Sequence, residues 1–164
     1  VQSKFNKSQS GFSMIEILVT LVIVATALLG TAGLQIYAMR MGKSSHLRTQ
    51  AIFLASDIAE RMEANKPAAI SGGYALASTS LAPALSTACT TGPCDSSALR
   101  DYDLNQWGNS VASLLPNSQW SITSTTTGNP NTYQILISWN EQSSDKSNHT
   151  PVPFSHTSIR TISN

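Results

Sequence analysis

Charge is scarce in this chain. Only 12% of its 164 residues are Asp, Glu, Lys or Arg, against roughly 25% in an ordinary soluble domain. The two signs nearly cancel, at +1, so no net field recruits nucleic acid or an anionic surface. Past residue 65 the polar load falls on Ser, Thr, Asn and Gln, a composition suited to a protein outside the cytoplasm. In residues 66–164, Lys66, Arg100, Lys146 and Arg160 stand against Asp95, Asp101, Asp103, Glu141 and Asp145. That near-neutral, slightly acidic balance lacks the basic patch that DNA binding requires. The three histidines, His46, His149 and His156, are scattered and the only cysteines are Cys89 and Cys94. No metal-ligand spacing results, so neither a metal nor another cofactor is expected. There is no Gly-x-Ser-x-Gly elbow and no glycine-rich phosphate loop. Asp101 and Asp103, two residues apart, point to different sides of a helix and make a poor acid/base pair. The sequence therefore offers no catalytic constellation. Asn148-His149-Thr150 matches a glycosylation sequon, a three-residue pattern common by chance. Val1 stands where a methionine would open a chain, which leaves a non-standard start codon or a few preceding residues open.

What the chain does have is one long apolar run. Residues 1–11 are polar and carry Lys4 and Lys7; between Phe12 and Met39 the only charged residue is Glu16. The stretch from Ile17 to Met39 exceeds the ~20 residues a helix needs to cross a bilayer. Ala25-Thr26-Ala27 resembles a signal cleavage site, but the apolar tract continues well beyond it and outruns a secretory signal. Arg40, Lys43 and Arg48 follow the span as Lys4 and Lys7 precede it, so positive charge does not choose an orientation. A carboxylate within the hydrocarbon costs at least ~2.5–3.5 kcal/mol. Glu16 is thus either a functional intramembrane charge or an interfacial residue reaching the headgroups. Gly30 and Gly33 fit close helix packing or a segment able to extend.

The helical pattern continues past the run. Leu47, Ala51, Leu54, Ala55, Ile58, Ala59 and Met62 recur at steps of three and four, one face of an amphipathic helix. Asp57 and Arg61 form an i, i+4 pair, and Asn65-Lys66-Pro67 closes a helix that starts at Ser13. Residues 68–95 read as a loop. Within it, Gly92-Pro93 favours a turn able to bring Cys89 and Cys94 together, so a disulfide in an oxidising compartment is expected. A helix follows over 98–115 with Leu104, Trp107, Val111, Leu114 and Leu115 on one side. Strands are predicted at 119–127, at 133–139 with Tyr133, Ile135, Ile137 and Trp139 on one face, and within 154–162. Three strands need a helix across them to hold a core, which makes the fold class α+β.

The heptapeptide SGFSMIE, Ser10 to Glu16, resembles the processing site of type IV prepilins. The resemblance implies a leader, residues 1–11, facing the cytoplasm and cut by prepilin peptidase between Gly11 and Phe12. It further implies N-methylation of Phe12 and a subunit-docking role for Glu16, whose carboxylate would offset the new amino terminus of a neighbouring subunit. The implied fold is a pilin-like helical spine packed on a small antiparallel sheet. Its parts would be a membrane or filament-core helix at 12–39, an amphipathic half at 40–65, a loop region with the Cys pair and a short helix at 66–118, and the sheet at 119–164.

The segments LASDIAERMEANK, YDLNQWGNSVASLLP and YQILISWNE, with the Cys pair, resemble the minor pilins called type IV pilus modification protein PilV. That likeness implies a low-abundance subunit that primes pilus assembly or sits at the tip. Its implied partners are the major pilin, other minor pilins, the inner-membrane assembly platform and in some cases a tip adhesin. The chain would be held in the bacterial inner membrane with a periplasmic head, and afterwards in a cell-surface pilus. A minor pseudopilin of a type II secretion system shares every amino-terminal feature, and a tip binding module using Ser/Thr-rich loops is a third reading.

Overall fold

The computed structural model describes residues 11–85, 88–126, 128–142 and 150–164. Contacts divide the chain into two units, Val1–Met41 and Gly42–Asn164. Helix α1, Met14–Ala64, contributes to both. In the first unit every described residue is exposed, and an 18-residue window of α1 has a mean hydropathy of 2.4. Three of its polar side chains are satisfied locally. Thr20, Thr26 and Thr31 donate their hydroxyls to the carbonyls of Ile17, Ile23 and Leu28, at 2.8, 2.9 and 2.9 Å. Such bonds let a threonine sit in hydrocarbon without an orphaned donor.

In the second unit the periodic face of α1 is buried as expected: Leu47, Ala51, Leu54, Ala55, Ile58, Ala59 and Met62. The proline at its end has a double effect. Asn65, with φ −114° and ψ 54°, breaks the helix, and a second helix α2 then runs over Lys66–Ile70 with Pro67 in its first turn. There the missing N–H has no partner to lose. Strand β1 (Leu76–Thr79) and helix α3 (Ala88–Thr91) lie where the sequence reads as loop. Helix α4 (Ser96–Leu114) is capped by Asp95, which accepts the Ala98 N–H at 2.7 Å. That bond and the Ser97 hydroxyl hold the Asp95 carboxyl below its usual range. Strands β2 (Gln119–Ser124), β3 (Asn131–Gln142) and β4 (Pro151–Ile162) complete the fold.

The sheet is a four-stranded antiparallel meander in the order β1-β2-β3-β4, one strand more than the pattern predicts. β1 escapes sequence reading because four residues are too few to display an alternation, and its register is irregular between Leu76 and Thr79. Tyr133, Ile135, Ile137 and Trp139 are buried as predicted. Leu114 is not: it is 45% exposed, whereas Leu115, just past α4, is 2% exposed. The chain leaves the helix there with extended backbone, and this turns Leu115 inward.

Trp107 anchors the core. Its Nε1 donates to the Leu54 carbonyl at 2.8 Å, and its ring meets Trp120 edge-on at 6.1 Å. Gly108 lets this packing close, since a Cβ there would lie 3.0 Å from Ala82.

Beside the apolar core runs a buried polar chain. The Tyr74 hydroxyl donates to Asp103 Oδ2 at 2.6 Å, Asn65 Nδ2 donates to the Tyr74 oxygen at 3.1 Å and to the Ser96 carbonyl at 2.8 Å. Arg61 bridges Asp57 at 3.0 Å and Asp103 at 3.3 Å. Burial works against the Arg61 charge, but the bonds to Asp57 and then Asp103 outweigh it and raise its pKa. Across the core, the Tyr133 hydroxyl donates to the Ala69 carbonyl at 2.5 Å.

Burial raises the pKa of both phenols, and at Tyr74 the bond to Asp103 raises it further. A folded-state pKa above the unfolded value, ~10, means a contribution that is complete below pH ~10 and lost as pH rises beyond it. Two of the four tyrosines are therefore expected to ionise only as the head unfolds. In an alkaline titration their tyrosinate absorbance should rise together with the loss of near-ultraviolet circular dichroism. Ionisation of all four with that dichroism intact would contradict the burial of Tyr74 and Tyr133.

Candidate processing and docking segment

The residues singled out at the amino terminus lie together at the start of α1. Gly11, Phe12 and Ser13 precede the helix in non-helical backbone, and α1 begins at Met14. The Ser13 carbonyl starts the ladder by accepting the Glu16 N–H at 3.0 Å and the Ile17 N–H at 3.4 Å. The Gly11–Phe12 bond therefore lies outside the hydrogen-bonded helix, with Phe12 80% exposed. A peptidase can engage a bond in that setting without unwinding a turn.

Among the described residues no contact requires a glycine at position 11. A Cβ at Gly11 would meet no atom within 4 Å, and its φ is not in the left-handed region. Glu16 occupies the first turn of α1, where a carboxylate is favoured by the helix dipole. It is exposed, so its charge is free to meet a partner outside this chain. Gly30 and Gly33 likewise have no neighbour within 4 Å of a built Cβ. Among the described residues, α1 is the one helix long and apolar enough to cross a membrane.

The second unit holds the remaining site pair. Cys89 and Cys94 are joined by a disulfide, with Cα atoms 5.0 Å apart. So small a loop constrains little of the unfolded chain, and its effect is confined to the turn between α3 and α4. Among the described residues no group of three or more His, Cys, Asp or Glu is placed to hold a metal ion. Asp101 and Asp103 do part company: Asp101 pairs with Arg100 at 2.6 Å, and Asp103 enters the buried chain with Tyr74 and Arg61. Sequence reasoning missed that role, although Asp103 shares the i, i+4, i+8 row of Trp107 and Val111. Glu141, 8% exposed and accepting the Trp139 Nε1–H at 2.8 Å, was missed as well. It stands two residues from Trp139 on the inward row of β3, which was the available signal. Lys4 and Lys7 of the expected leader, and Asn148 and His149 of the sequon match, lie outside the described residues.

The family model described as the prokaryotic N-terminal methylation motif matches residues 6–32. The adjoining stretch, residues 33–105, matches the family described as type IV pilin Tt1218. Over these residues the chain is similar to type IV prepilins. The long apolar amino-terminal helix and small antiparallel four-stranded sheet are those of the type IV pilin fold. For a prepilin-like protein the motif implies processing by prepilin peptidase and assembly with other pilins. The apolar half of α1 fits anchoring in the inner membrane before that assembly. No curated protein and no solved structure matches the chain.

Proposed function

We propose that this prepilin-like chain is a minor pilin subunit of a type IV pilus, of the group called type IV pilus modification protein PilV. In this reading it primes assembly or sits at the tip with other minor pilins. The observation that carries the reading is the Gly11–Phe12 bond. It is exposed, lies just ahead of a helix, has a glycine that no contact among the described residues requires, and is followed at Glu16 by the only carboxylate of the apolar run. Cleavage there would leave the amino group of Phe12, subsequently methylated, beside the membrane. A neighbouring subunit's Glu16 would offset that charge, because each is less costly paired than alone in a medium of low dielectric. The pair would then act as a register mark when a subunit joins the filament base. The PilV assignment draws on the α1, α4 and β3 segments quoted above, together with the disulfide. The head would face the periplasm, then the cell surface.

The test is a count of surface filaments after deletion of the gene, with and without the retraction motor. Loss of filaments that return when retraction is disabled is the expected result, and marks an aid to initiation. Loss in both backgrounds would make the subunit an essential primer. Unchanged filaments in both would overturn the priming role and favour a pseudopilin of type II secretion or a binding role at the tip.

A further inference from the structure

The sheet ends in two unequal edges. β1 has four residues and an irregular register. β4 has 12 and pairs with β3 residue for residue, from Asn131 opposite Ile162 to Gln142 opposite Pro151. Among the described residues no strand pairs with the outer side of β4. A row of backbone N–H and C=O groups is therefore presented there, ready to template another strand. Natural sheets blunt such edges with prolines, charges or bulges. Here Pro151 and Pro153 protect only the start. From Phe154 to Ile162 there is no proline, the register is unbroken, and Arg160 is the one permanently charged residue.

A pocket adjoins this edge. Arg48, Ile52, Trp139, Phe154, Ser155 and His156 line a cavity of about 220 Å³. Trp139 stacks on Phe154, centroids 6.3 Å apart and planes 23° from parallel, and the Arg48 guanidinium lies 4.8 Å from the Phe154 ring centre. The volume falls short of the ~300–1,000 Å³ of small-molecule and cofactor sites; it suits a single side chain. Its lining includes a cation and an imidazole but no carboxylate. Arg48 makes no ion pair among the described residues.

A strand laid along β4 sends every second side chain to the face that carries Phe154 and His156. Its backbone bonds supply affinity whatever its sequence, and a pocket on that face reads one position. We propose that the outer edge of β4 takes an extended segment of a different protein as an added strand, one acidic side chain of which enters the pocket at Arg48. A second copy of this chain is the wrong occupant for such an edge-to-edge pairing. β4 carries neither Asp nor Glu, so self-pairing would bring two cationic pockets together with no carboxylate to fill them. The site lies wholly in the second unit, and its binding does not depend on processing at Gly11.

The experiment uses the full chain in detergent micelles and short fluorescent peptides of alternating Thr and Val, read by anisotropy. The central residue is Glu in one peptide and Lys in another, and a third is the Glu peptide with alternate amides N-methylated along one edge. The Glu peptide should bind at least about tenfold more tightly than the Lys peptide, and N-methylation should abolish binding. Arg48→Glu should reverse the preference between Glu and Lys. Equal binding of the two peptides, indifference to N-methylation, or no binding of the Glu peptide would overturn the proposal. So would a concentration-dependent dimer of the chain that competes with the Glu peptide. Should Arg48→Glu fail to fold, the peptide comparisons on the wild-type chain decide alone.

Discussion

Trp107→Ala is expected to destabilise the head by about 3–5 kcal/mol, the range for emptying a large aromatic site. Three losses act at one place. The ring is fully buried and meets Trp120 edge-on, its Nε1 donates to the Leu54 carbonyl of α1, and its neighbour Gly108 is packed against Ala82. Removal leaves a cavity where α1, α4 and β2 meet, and takes from the Leu54 carbonyl the bond it accepts in addition to its own helical one. Set against a total stability of about 5–15 kcal/mol, the loss is large enough to lower the level of the protein in the cell. Urea unfolding of the purified chain measures it. Trp107→Phe separates the contributions, because it keeps most of the apolar volume and removes the N–H, at about 0.5–1.5 kcal/mol for one hydrogen bond to a carbonyl that keeps its helical partner. An unfolding midpoint unmoved by Trp107→Ala would show that this ring does not hold α4 to α1.

The second large effect is expected at the opposite end of the chain. Glu16→Lys should leave folding of the head untouched, since the residue is exposed and belongs to the first unit. It should also leave cleavage at Gly11 intact, read as the mass of the membrane-extracted protein. Entry into filaments should nevertheless fall by more than about tenfold, the scale of losing one partner of a desolvated charge pair and adding a like-charge clash. The measurement is the amount of this chain in sheared filaments relative to the amount in membranes. Glu16→Gln, which removes the attraction without the repulsion, should lie between the two. Normal incorporation of Glu16→Lys would remove the docking role of this carboxylate. Gly11→Val is the complementary variant. No atom within 4 Å opposes the larger side chain, so folding is kept, and failure to be cleaved would come from the peptidase's requirement alone.

Much of the fold was legible because long periodic segments announce themselves. The apolar run before Arg40, the three- and four-residue recurrence from Leu47 to Met62 and the period-two row from Tyr133 to Trp139 each repeat a pattern over several turns or pleats. The two cysteines were legible for a different reason, as a short loop with Gly92-Pro93 at its turn leaves them few alternatives. What escaped was short or relational. β1 has too few residues to show a period. Pro67 reads as a stop, yet its fixed φ suits the first turn of a helix, and α2 begins there after the break at Asn65. Asp103 looked like half of a failed acid pair with Asp101, and nothing local says that it faces Tyr74, a contact made 29 residues away.

The sequence by itself determined the amino-terminal segment: a Gly11–Phe12 step ahead of an apolar helix, and one carboxylate in that run at Glu16. Those properties depend only on residue order along a single helix. The tertiary structure alone decided the head's polar chain, the turn of Leu115 into the core, the length of the open β4 edge and the pocket at Arg48. Each of these exists only where residues far apart in sequence meet, and burial, pairing and edge exposure are properties of that meeting rather than of any one segment.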